Sequence, residues 1–425
     1  MRRTSLLIAA FLFLISFSGP VANAQRSNEP AKVELGGHVT SITGPEFQPF
    51  FAVDRPGSQA GFGGRFTYNL NKHVALEAEG NFFARPEFDG FDSDNHIVQG
   101  QFGLKTGNRF DKFGIFAKVR PGFMSLGDVL TQTGTETIDI NGQPVVVPVF
   151  DFRRRSFFSI DLGGVLEFYP SRRFVVRFDV GDTMIRTDTP TDFFNPTPPA
   201  SRITHNFQFN SGVAFRFLNP QPDQNTYAFT SDSKRKFEAG VQFSSLRLNV
   251  SSQSELPLLG FEGSEFDSGF GGRLTYNFIP SLSVEIQTDF YPSELEGFAN
   301  QRGGGNTWQV QAGPKAGKRF EKFGLFGKFR PGAVSFSKTE RVDFPVSPFI
   351  PRFSVERRTY FSLDVGGVLE FYPSPRIVAR FDAGDTMIHY GEALRPFTAL
   401  SIPVLFIAAE TRHNFQFSAG VGFRF

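Results

Sequence analysis

Histidine is the side chain in this sequence that is best suited to proton transfer near neutral pH. His205 and His413 lie in matching stretches of the chain, and each precedes an asparagine, Asn206 or Asn414. Either imidazole could therefore serve as a general base. No serine lies two residues further on, however, and no carboxylate partner is evident from the sequence for either ring. We interpret both histidines as polar residues at the rim of a strand.

The other reactive side chains form no catalytic or metal-binding pattern. The repeated Asp-Thr pairs at 182–183 and 385–386 are better explained as polar groups at a strand rim than as a catalytic pair. His38 and His73 have no histidine at the equivalent positions of the second stretch. The chain has no cysteine, no glycine-rich phosphate loop and no cluster with metal-ligand spacing. These observations predict a protein that is not an enzyme and holds no cofactor or metal.

Carboxylates and cations instead alternate with apolar residues along short segments, which places them together on one inward face. In the first part of the chain this set comprises Glu34, Arg65, Glu77, Glu79, Lys105, Lys118, Arg120, Asp161, Glu167, Arg177 and Asp179. Its equivalents in the second part are Glu238, Arg273, Glu285, Gln287, Lys315, Lys328, Arg330, Asp364, Glu370, Arg380 and Asp382. Because buried charges must be paired, each near-balanced set predicts an interior charge network in a filled core. The alternative is that the same residues line water.

An internal duplication explains the matching positions. The segment Gly163–Ser171 recurs identically as Gly366–Ser374, and His205–Phe209 recurs identically as His413–Phe417. The copies keep the same order along nearly the whole chain. A repeat of this length is a duplicated domain, not a solenoid unit of about 20 to 50 residues.

Within each copy, apolar–polar alternation and turn residues predict eight strands. In the first copy they lie near 32–42, 60–70, 74–83, 96–106, 113–123, 156–168, 174–186 and 204–217. In the second copy they lie near 236–247, 268–279, 282–291, 307–317, 323–334, 359–371, 377–390 and 411–425. Short turns alternate with long loops, including a predicted loop at 124–155, as they do in transmembrane β-barrels.

The two faces of each predicted strand differ in the medium that they suit. Phe158, Ile160 and Leu162 share one face, whereas Ser159 and Asp161 lie on the other. A soluble sandwich would also alternate, with its apolar face buried and its charged face solvated. We favour a membrane barrel because strands of about 10 residues suffice to cross a bilayer.

Two further features are expected near the membrane boundaries. Tyr68, Tyr169, Tyr276 and Tyr372 lie at short-turn ends of strands, where they are predicted to form an interfacial girdle. The Arg-Pro-Gly steps at 120–122 and 330–332 are predicted to end strands at the opposite side.

Residues 1–24 are typical of a secretory signal peptide. Arg2 and Arg3 precede an apolar run from Leu6 to Phe17, and small residues at 22–24 provide a cleavage site. An uncleaved anchor is less favoured, because the run is shorter than the roughly 20 residues that span a bilayer. The net charge of +2 indicates no nucleic-acid partner. The 56 phenylalanines without a later spanning helix also suggest a membrane β-barrel.

The chain ends Gly422-Phe423-Arg424-Phe425, with aromatic residues at alternate positions. In strand number, loop alternation and this last strand, the sequence resembles the OmpA/OmpX-type eight-stranded outer-membrane proteins. Their last strand typically ends in a phenylalanine that the barrel-assembly machinery recognises. The resemblance implies that Phe423 and Phe425 carry this assembly signal. It also implies that the protein is located in the cell outer membrane, with outer-membrane lipids and the assembly machinery as partners.

The predicted fold is therefore all-β: transmembrane antiparallel up-and-down strands, sixteen in number, forming two tandem eight-stranded barrels. The first unit is assigned to 25–218, a polar periplasmic linker to 219–235 and the second unit to 236–425. In the alternative, one sixteen-stranded barrel, strands 204–217 and 236–247 would pair directly. The choice bears on function, since eight strands enclose packed side chains whereas sixteen enclose a channel.

The long loops carry most of the differences between the copies. They include apolar segments at 144–150, 344–350 and 402–407, which favour contact with a surface ligand or partner. Alternatively, the strands extend above the membrane and pack these residues against each other. The predicted role is an envelope scaffold with interacting loops. A porin-like channel ranks second, and a lipid-modifying enzyme, an activity of some eight-stranded outer-membrane barrels, ranks third.

Overall fold

A computed structural model describes residues 31–46, 55–83, 96–140, 143–171, 173–188, 201–217, 235–251, 262–295, 304–343, 352–397 and 402–425. Within these ranges the chain forms eighteen β-strands. No helix in the described part is long and apolar enough to cross a membrane. The predicted signal peptide at 1–24, nearly all of the predicted linker at 219–235 and the apolar segment 344–350 lie outside the described residues.

The first eight strands close into a barrel. They are β1 (Val33–Glu46), β2 (Arg55–Asn69), β3 (Val74–Phe83), β4 (Ile97–Arg109), β5 (Phe113–Ile140), β6 (Gln143–Phe168), β7 (Phe174–Asp188) and β8 (Ser201–Phe217). Each strand pairs antiparallel with the next, and β1 pairs with both β2 and β8. Such closure satisfies the backbone groups of every strand within the barrel, which lipid requires because it offers no hydrogen-bonding partner.

The second barrel repeats this arrangement. Its strands are β9 (Phe237–Ser251), β10 (Glu262–Ile279), β11 (Leu282–Leu295), β12 (Gly305–Arg319), β13 (Phe323–Asp343), β14 (Arg352–Phe371), β15 (Ile377–Tyr390) and β18 (Glu410–Arg424). Strand β9 closes it by pairing with both β10 and β18. A separate two-stranded hairpin of β16 (Ala393–Phe397) and β17 (Ile402–Ile407) lies between β15 and β18 in the chain.

The strand pairing rejects the single sixteen-stranded barrel. The partners of β8 are β1 and β7, whereas those of β9 are β10 and β18. In each copy the first and last strands pair over a long antiparallel ladder. In the first copy this ladder runs from Val33 opposite Phe217 to Ile42 opposite Gln208. Among the described residues, a single ladder pair, Phe266 with Ser58, joins β10 to β2.

The sixteen predicted strands are present in the described part of the chain, and most extend further toward the long loops. The predicted loop at 124–155 is wrong, because β5 and β6 continue as a hairpin until Ile140 pairs with Gln143. The apolar segment 144–150 thus belongs to β6, and 402–407 forms β17. Strand β6 therefore extends beyond the barrel, as that alternative expects, whereas β17 belongs to the separate hairpin.

The predicted strand ends at 120–122 and 330–332 are also wrong. Strand β5 continues through Pro121, which lies opposite Ile160 of β6. On the β4 side, the ladder is interrupted between the pairs Gln101–Gly122 and Leu104–Val119. Because proline has no N–H to donate, it interrupts one ladder while the other continues.

The outer surface of each barrel is apolar and its interior is charged. The outward side chains Phe62, Phe158 and Val241 are 63%, 59% and 71% exposed, whereas inward Arg120 and Asp161 are fully buried. A soluble barrel would show the reverse distribution. Apolar residues outside and polar residues inside are the pattern of a transmembrane barrel.

The two barrels lie side by side with their short turns at the same end, since the turn at 110–113 lies beside Pro373 and Ile377. Equivalent strands form the contact: β7, β8, β1 and β2 face β15, β18, β9 and β10. Phe178 and its equivalent Phe381 stack across it, with ring centroids 5.7 Å apart. The contact thus resembles that of a two-fold symmetric dimer, although one chain supplies both sides.

We expect residues 25–235 and 236–425 to fold separately when each is expressed alone and refolded in detergent. Each half contains both strands that close its barrel. Heat-dependent migration on SDS gels would report the folded form of each half, with the full-length protein as the control. A full-length protein that folds while neither half does would contradict two self-contained barrels.

Candidate functional site

Charged side chains from separate strands meet inside the first barrel. Arg120 of β5 donates hydrogen bonds from Nε and Nη2 to Asp161 Oδ2 of β6, at 3.0 and 2.6 Å. It also forms an ion pair with Glu79 of β3. The ammonium group of Lys118 lies 2.7 Å from the same Asp161 oxygen. All four side chains are fully buried, so protein groups rather than water neutralise these charges.

A second group of charges is centred on Glu77. Arg177 of β7 donates from Nη2 to Glu77 Oε2 at 2.8 Å and from Nε to Asp179 Oδ1 at 2.5 Å. Lys105 of β4 lies 3.4 Å from Glu77. Asp179 is also 3.5 Å from Arg120, which joins the two groups into one network. We call these residues, together with Glu167, the charge network of the first barrel.

The second barrel contains an equivalent charge network. Its ion pairs include Arg330–Asp364 at 2.5 Å, Lys328–Asp364 at 2.7 Å, Arg380–Glu285 at 2.5 Å, Arg380–Asp382 at 2.7 Å and Lys315–Glu370 at 2.5 Å. The structure therefore buries the residues of the predicted interior networks inside the two barrels and joins most of them by ion pairs.

Inward glycines make room for these ion pairs. A Cβ atom at Gly181 would lie 2.4 Å from Asp161 Oδ1, and one at Gly384 would lie 2.9 Å from Asp364 Oδ1. Either contact would displace the carboxylate that bridges a lysine and an arginine. A larger residue in place of either glycine would thus disturb the equivalent ion pair of its barrel.

One carboxylate occupies a different position in the two networks. In the first barrel Glu79 pairs with an arginine, and the neighbouring Asn81 is hydrogen-bonded to His38 at 2.6 Å. In the second barrel Gln287 replaces Glu79, and Asp289 replaces Asn81. Gln287 Nε2 donates to Asp289 Oδ2 at 2.7 Å. The negative charge is retained but lies two residues further along the strand.

The short-turn end of the first interior is closed by Tyr169. Its hydroxyl donates to Glu167 Oε2 at 2.9 Å and accepts from Arg109 Nε at 3.1 Å, while Arg216 lies 4.3 Å above its ring. Tyr372 is placed in the same way in the second barrel, with the partners Glu370, Arg319 and Arg424.

The predicted girdle is therefore wrong for Tyr169 and Tyr372. Tyr68, by contrast, is 36% exposed on the outer surface, as expected. The alternation of strand faces distinguishes inward from outward tyrosines. Tyr169 lies two residues after the inward Glu167 and therefore shares its face. Parity could have identified both inward tyrosines from the sequence.

At the long-loop end, both interiors end in apolar clusters that the sequence analysis did not identify. The cluster of the first barrel consists of Ile42, Phe83, Ile97, Met124, Leu126, Phe157 and Ile185. That of the second consists of Leu246, Leu248, Tyr291, Val334, Phe336, Tyr360, Ile388 and Tyr390. A hydrogen-bonded layer lies next to each cluster, including Gln208 bonded to Gln99 at 3.0 Å. Side chains thus fill each interior from the tyrosine at the short-turn end to the apolar cluster at the long-loop end.

A histidine–aspartate pair lies on the outer surface of each barrel near the long-loop end. His205 Nδ1 is 2.7 Å from Asp182 Oδ2, and His413 Nδ1 is 2.5 Å from Asp385 Oδ2. The histidine side chains are 57% and 68% exposed. The view that these histidines lack a carboxylate partner is therefore wrong. The partners are far apart in sequence and meet only through strand pairing, here β7 with β8, where Met184 lies opposite His205.

This pairing orients an imidazole as a general base would be oriented, but nucleophilic catalysis also needs a hydroxyl or thiol within reach. In the described part of the chain, no serine or threonine hydroxyl is hydrogen-bonded to His205. The described residues also contain no group of histidine, aspartate and glutamate side chains able to hold a metal ion.

The β5–β6 hairpin extends beyond the first barrel. Pairing between β4 and β5 ends at Ile97–Leu126, while β5 and β6 remain paired up to Ile140. Ile138 and Val146 on the hairpin are 39% and 63% exposed. The hairpin therefore exposes apolar side chains well outside the barrel wall.

Phe423 and Phe425 lie on the outer surface at the seam of the second barrel, 47% and 59% exposed. The backbone N–H of Phe425 donates to Phe237 O at 3.0 Å, and the two rings are 6.1 Å apart. Their location on the closing strand is compatible with the predicted assembly signal, which remains a prediction.

No protein-family model and no curated protein matches this chain. Among solved structures, the N-terminal β-barrel domain of Pseudomonas aeruginosa OprF is 13% identical, with a TM-score of 0.25, over 45% of this chain and 100% of that chain. Ail, the attachment invasion locus protein of Yersinia pestis, is 18% identical, with a TM-score of 0.25, over 45% and 99% of the respective chains. A Pseudomonas aeruginosa FadL homologue is 12% identical, with a TM-score of 0.27, over 93% of both chains. The fold described above rests on the strand pairing itself.

We expect Glu77→Gln to destabilise the protein by about 3–5 kcal/mol, because it leaves two buried cations without a full counter-charge. Glu285→Gln should act similarly in the second barrel. Urea unfolding in lipid vesicles would measure both effects. Glu136→Gln, on the exposed part of the hairpin, is the matched control and should change stability by less than about 0.5 kcal/mol. Equal stability of all three variants would show that the buried pairs are not required.

Proposed function

We propose that this chain is a non-enzymatic integral outer-membrane β-barrel protein that acts as an envelope scaffold and presents surface hairpins for interaction. The observation that carries the proposal is the filling of both interiors. Arg120 and Arg330, among the largest inward side chains, are fully buried and held by carboxylates. A solute pathway would require water where these ion pairs lie.

The proposed location is supported first by the outer surface of the barrels. An apolar outer band on closed β-barrels suits the bacterial outer membrane, where such barrels occur. The predicted signal peptide at 1–24 would direct export, and Phe425 would present the assembly signal. The resemblance to OmpA/OmpX-type proteins supports the same location.

The non-enzymatic role is supported by the surroundings of the exposed histidine–aspartate pairs. An aspartate orients each histidine, yet the described contacts of His205 supply no nucleophile. Exposed polar groups at this level of a barrel also suit the headgroup region of a membrane without any reaction.

The interaction role is supported by the β5–β6 hairpin. Its paired strands give the surface a defined shape, and its exposed apolar residues provide area to bury against a partner. Extended hairpins also offer main-chain groups for strand addition by a peptide.

Single-channel recording of the refolded full-length protein in a planar bilayer tests whether the barrel interiors are closed to ions. We expect no large, stable conductance steps, because the charge networks and the apolar clusters fill both interiors. A porin inserted in the same bilayer is the positive control, and heat-dependent gel migration verifies folding. Large and uniform steps from folded protein would contradict the proposal and favour a channel.

Trimming the hairpin tests the interaction role. Joining Thr131 to Asp151 through an Asn-Gly turn removes its distal part while retaining an antiparallel register. We expect the barrel to fold normally and adhesion of expressing cells to hydrophobic and protein-coated surfaces to fall. Shortening the β16–β17 hairpin provides the matched control. Unchanged adhesion after trimming, at equal surface expression, would count against the role.

A further inference from the structure

The contact between the barrels is asymmetric, although equivalent strands form it. On one side the hydroxyls of Ser41 and Ser268 are hydrogen-bonded at 2.6 Å. Beside them, the rings of Phe207 and Phe270 meet edge to face, with centroids 5.6 Å apart. These contacts join the two barrels directly.

On the other side, the equivalent positions are Ser245, Ala60, Phe415 and Phe62. Ala60 lacks the hydroxyl that Ser268 provides on the first side. The Ser245 hydroxyl is buried and has no hydrogen-bond partner among the described residues. Phe415 and Phe62 are 52% and 63% exposed, so the opposite barrel covers neither ring.

The absent contacts leave a cleft of about 250 Å³ between the barrels. Its walls include Val39, Ala60, Phe62, Phe243, Ser245 and Phe415. Phe266, which bridges to Ser58, also lines it, and the stacked rings of Phe209 and Phe243 lie 4.2 Å apart along another wall. The cleft is therefore an apolar groove, continuous with the barrel contact and open toward the lipid-facing surface.

A hydrocarbon chain is the occupant that these walls favour. Apolar cavities stay dry, and an empty one forfeits the dispersion contacts of its walls. Phe62 and Phe415 belong to the outward apolar band, so the surrounding medium supplies acyl chains. The Ser245 hydroxyl adds a hydrogen-bond donor that a plain alkane would leave unused, whereas an ester carbonyl would accept from it.

We propose that the cleft binds one ester-linked acyl chain of a membrane lipid, with Ser245 donating a hydrogen bond to the ester carbonyl. The site depends on the membrane-embedded fold but not on the scaffold role. The conductance and adhesion results therefore bear on the proposed function without deciding the lipid site.

The test measures phospholipid that remains bound to full-length protein. The protein is reconstituted in vesicles of phosphatidylethanolamine and phosphatidylglycerol and extracted with cholate, which has no linear alkyl chain to compete. Native mass spectrometry then counts the retained lipids. The variants are Ala60→Leu, which fills the cleft, and Ser245→Ala, which removes the donor. Ala78→Leu, on the outward face of β3 away from the second barrel, is the matched control.

We expect one retained phospholipid on the wild type and on Ala78→Leu, and at least about tenfold less on Ala60→Leu. Loss of one ordinary hydrogen bond in Ser245→Ala should lower retention about fivefold. Gel migration must show that all variants fold. Equal retention by Ala60→Leu and the wild type, or none by the wild type, would overturn the site. Unchanged retention by Ser245→Ala would overturn the role of its hydroxyl.

Discussion

Inside an eight-stranded barrel there is room for side chains but little for water, so each inward charge must be neutralised by another inward side chain. This constraint determines much of the structure. A slip of one residue in β5 would turn Arg120 toward lipid and leave its carboxylate partners unpaired. Gly181 is required where a side chain would displace Asp161. Tyr169 and the apolar cluster at the other end then exclude solvent from the ion pairs.

The duplication shows that this constraint acts on the sum of the charges rather than on each position. Glu79 and Asn81 of the first barrel become Gln287 and Asp289 in the second, and the network remains balanced. Gln242 replaces His38 and donates to Asp289 at 2.8 Å. The outer surface is less constrained, and there the copies have diverged enough to make the barrel contact asymmetric.

Alternation with a period of two was sufficient to predict the strands, their faces and the members of both charge networks. It did not predict the hairpin beyond 126, because both faces of that segment meet solvent and its pattern loses the alternation. The choice of two barrels required the balance of charges in each copy as an additional argument, which the ladder between β1 and β8 confirms.

Features that depend on strand register were harder to predict. Asp182 and His205 meet only because β7 and β8 pair at one register, which the sequence does not state. The apolar clusters follow the inward parity of the strands, and most of their members lie within the predicted strands; only Met124, Leu126, Leu248 and Phe336 lie beyond the predicted strand ends. The signal peptide at 1–24 and the recognition of Phe425 by an assembly machinery remain predictions.

The central claim is that both barrel interiors are dry and filled, and thiol labelling tests it most directly. The chain has no cysteine, so Ser159→Cys and Ser362→Cys place single thiols at equivalent, fully buried inward positions. Thr135→Cys on the exposed hairpin is the control. With a charged, membrane-impermeant reagent, we expect labelling of Thr135→Cys alone in the folded protein and of all three after unfolding. Rapid labelling of the two inward thiols in folded protein would show water-filled interiors and contradict the account.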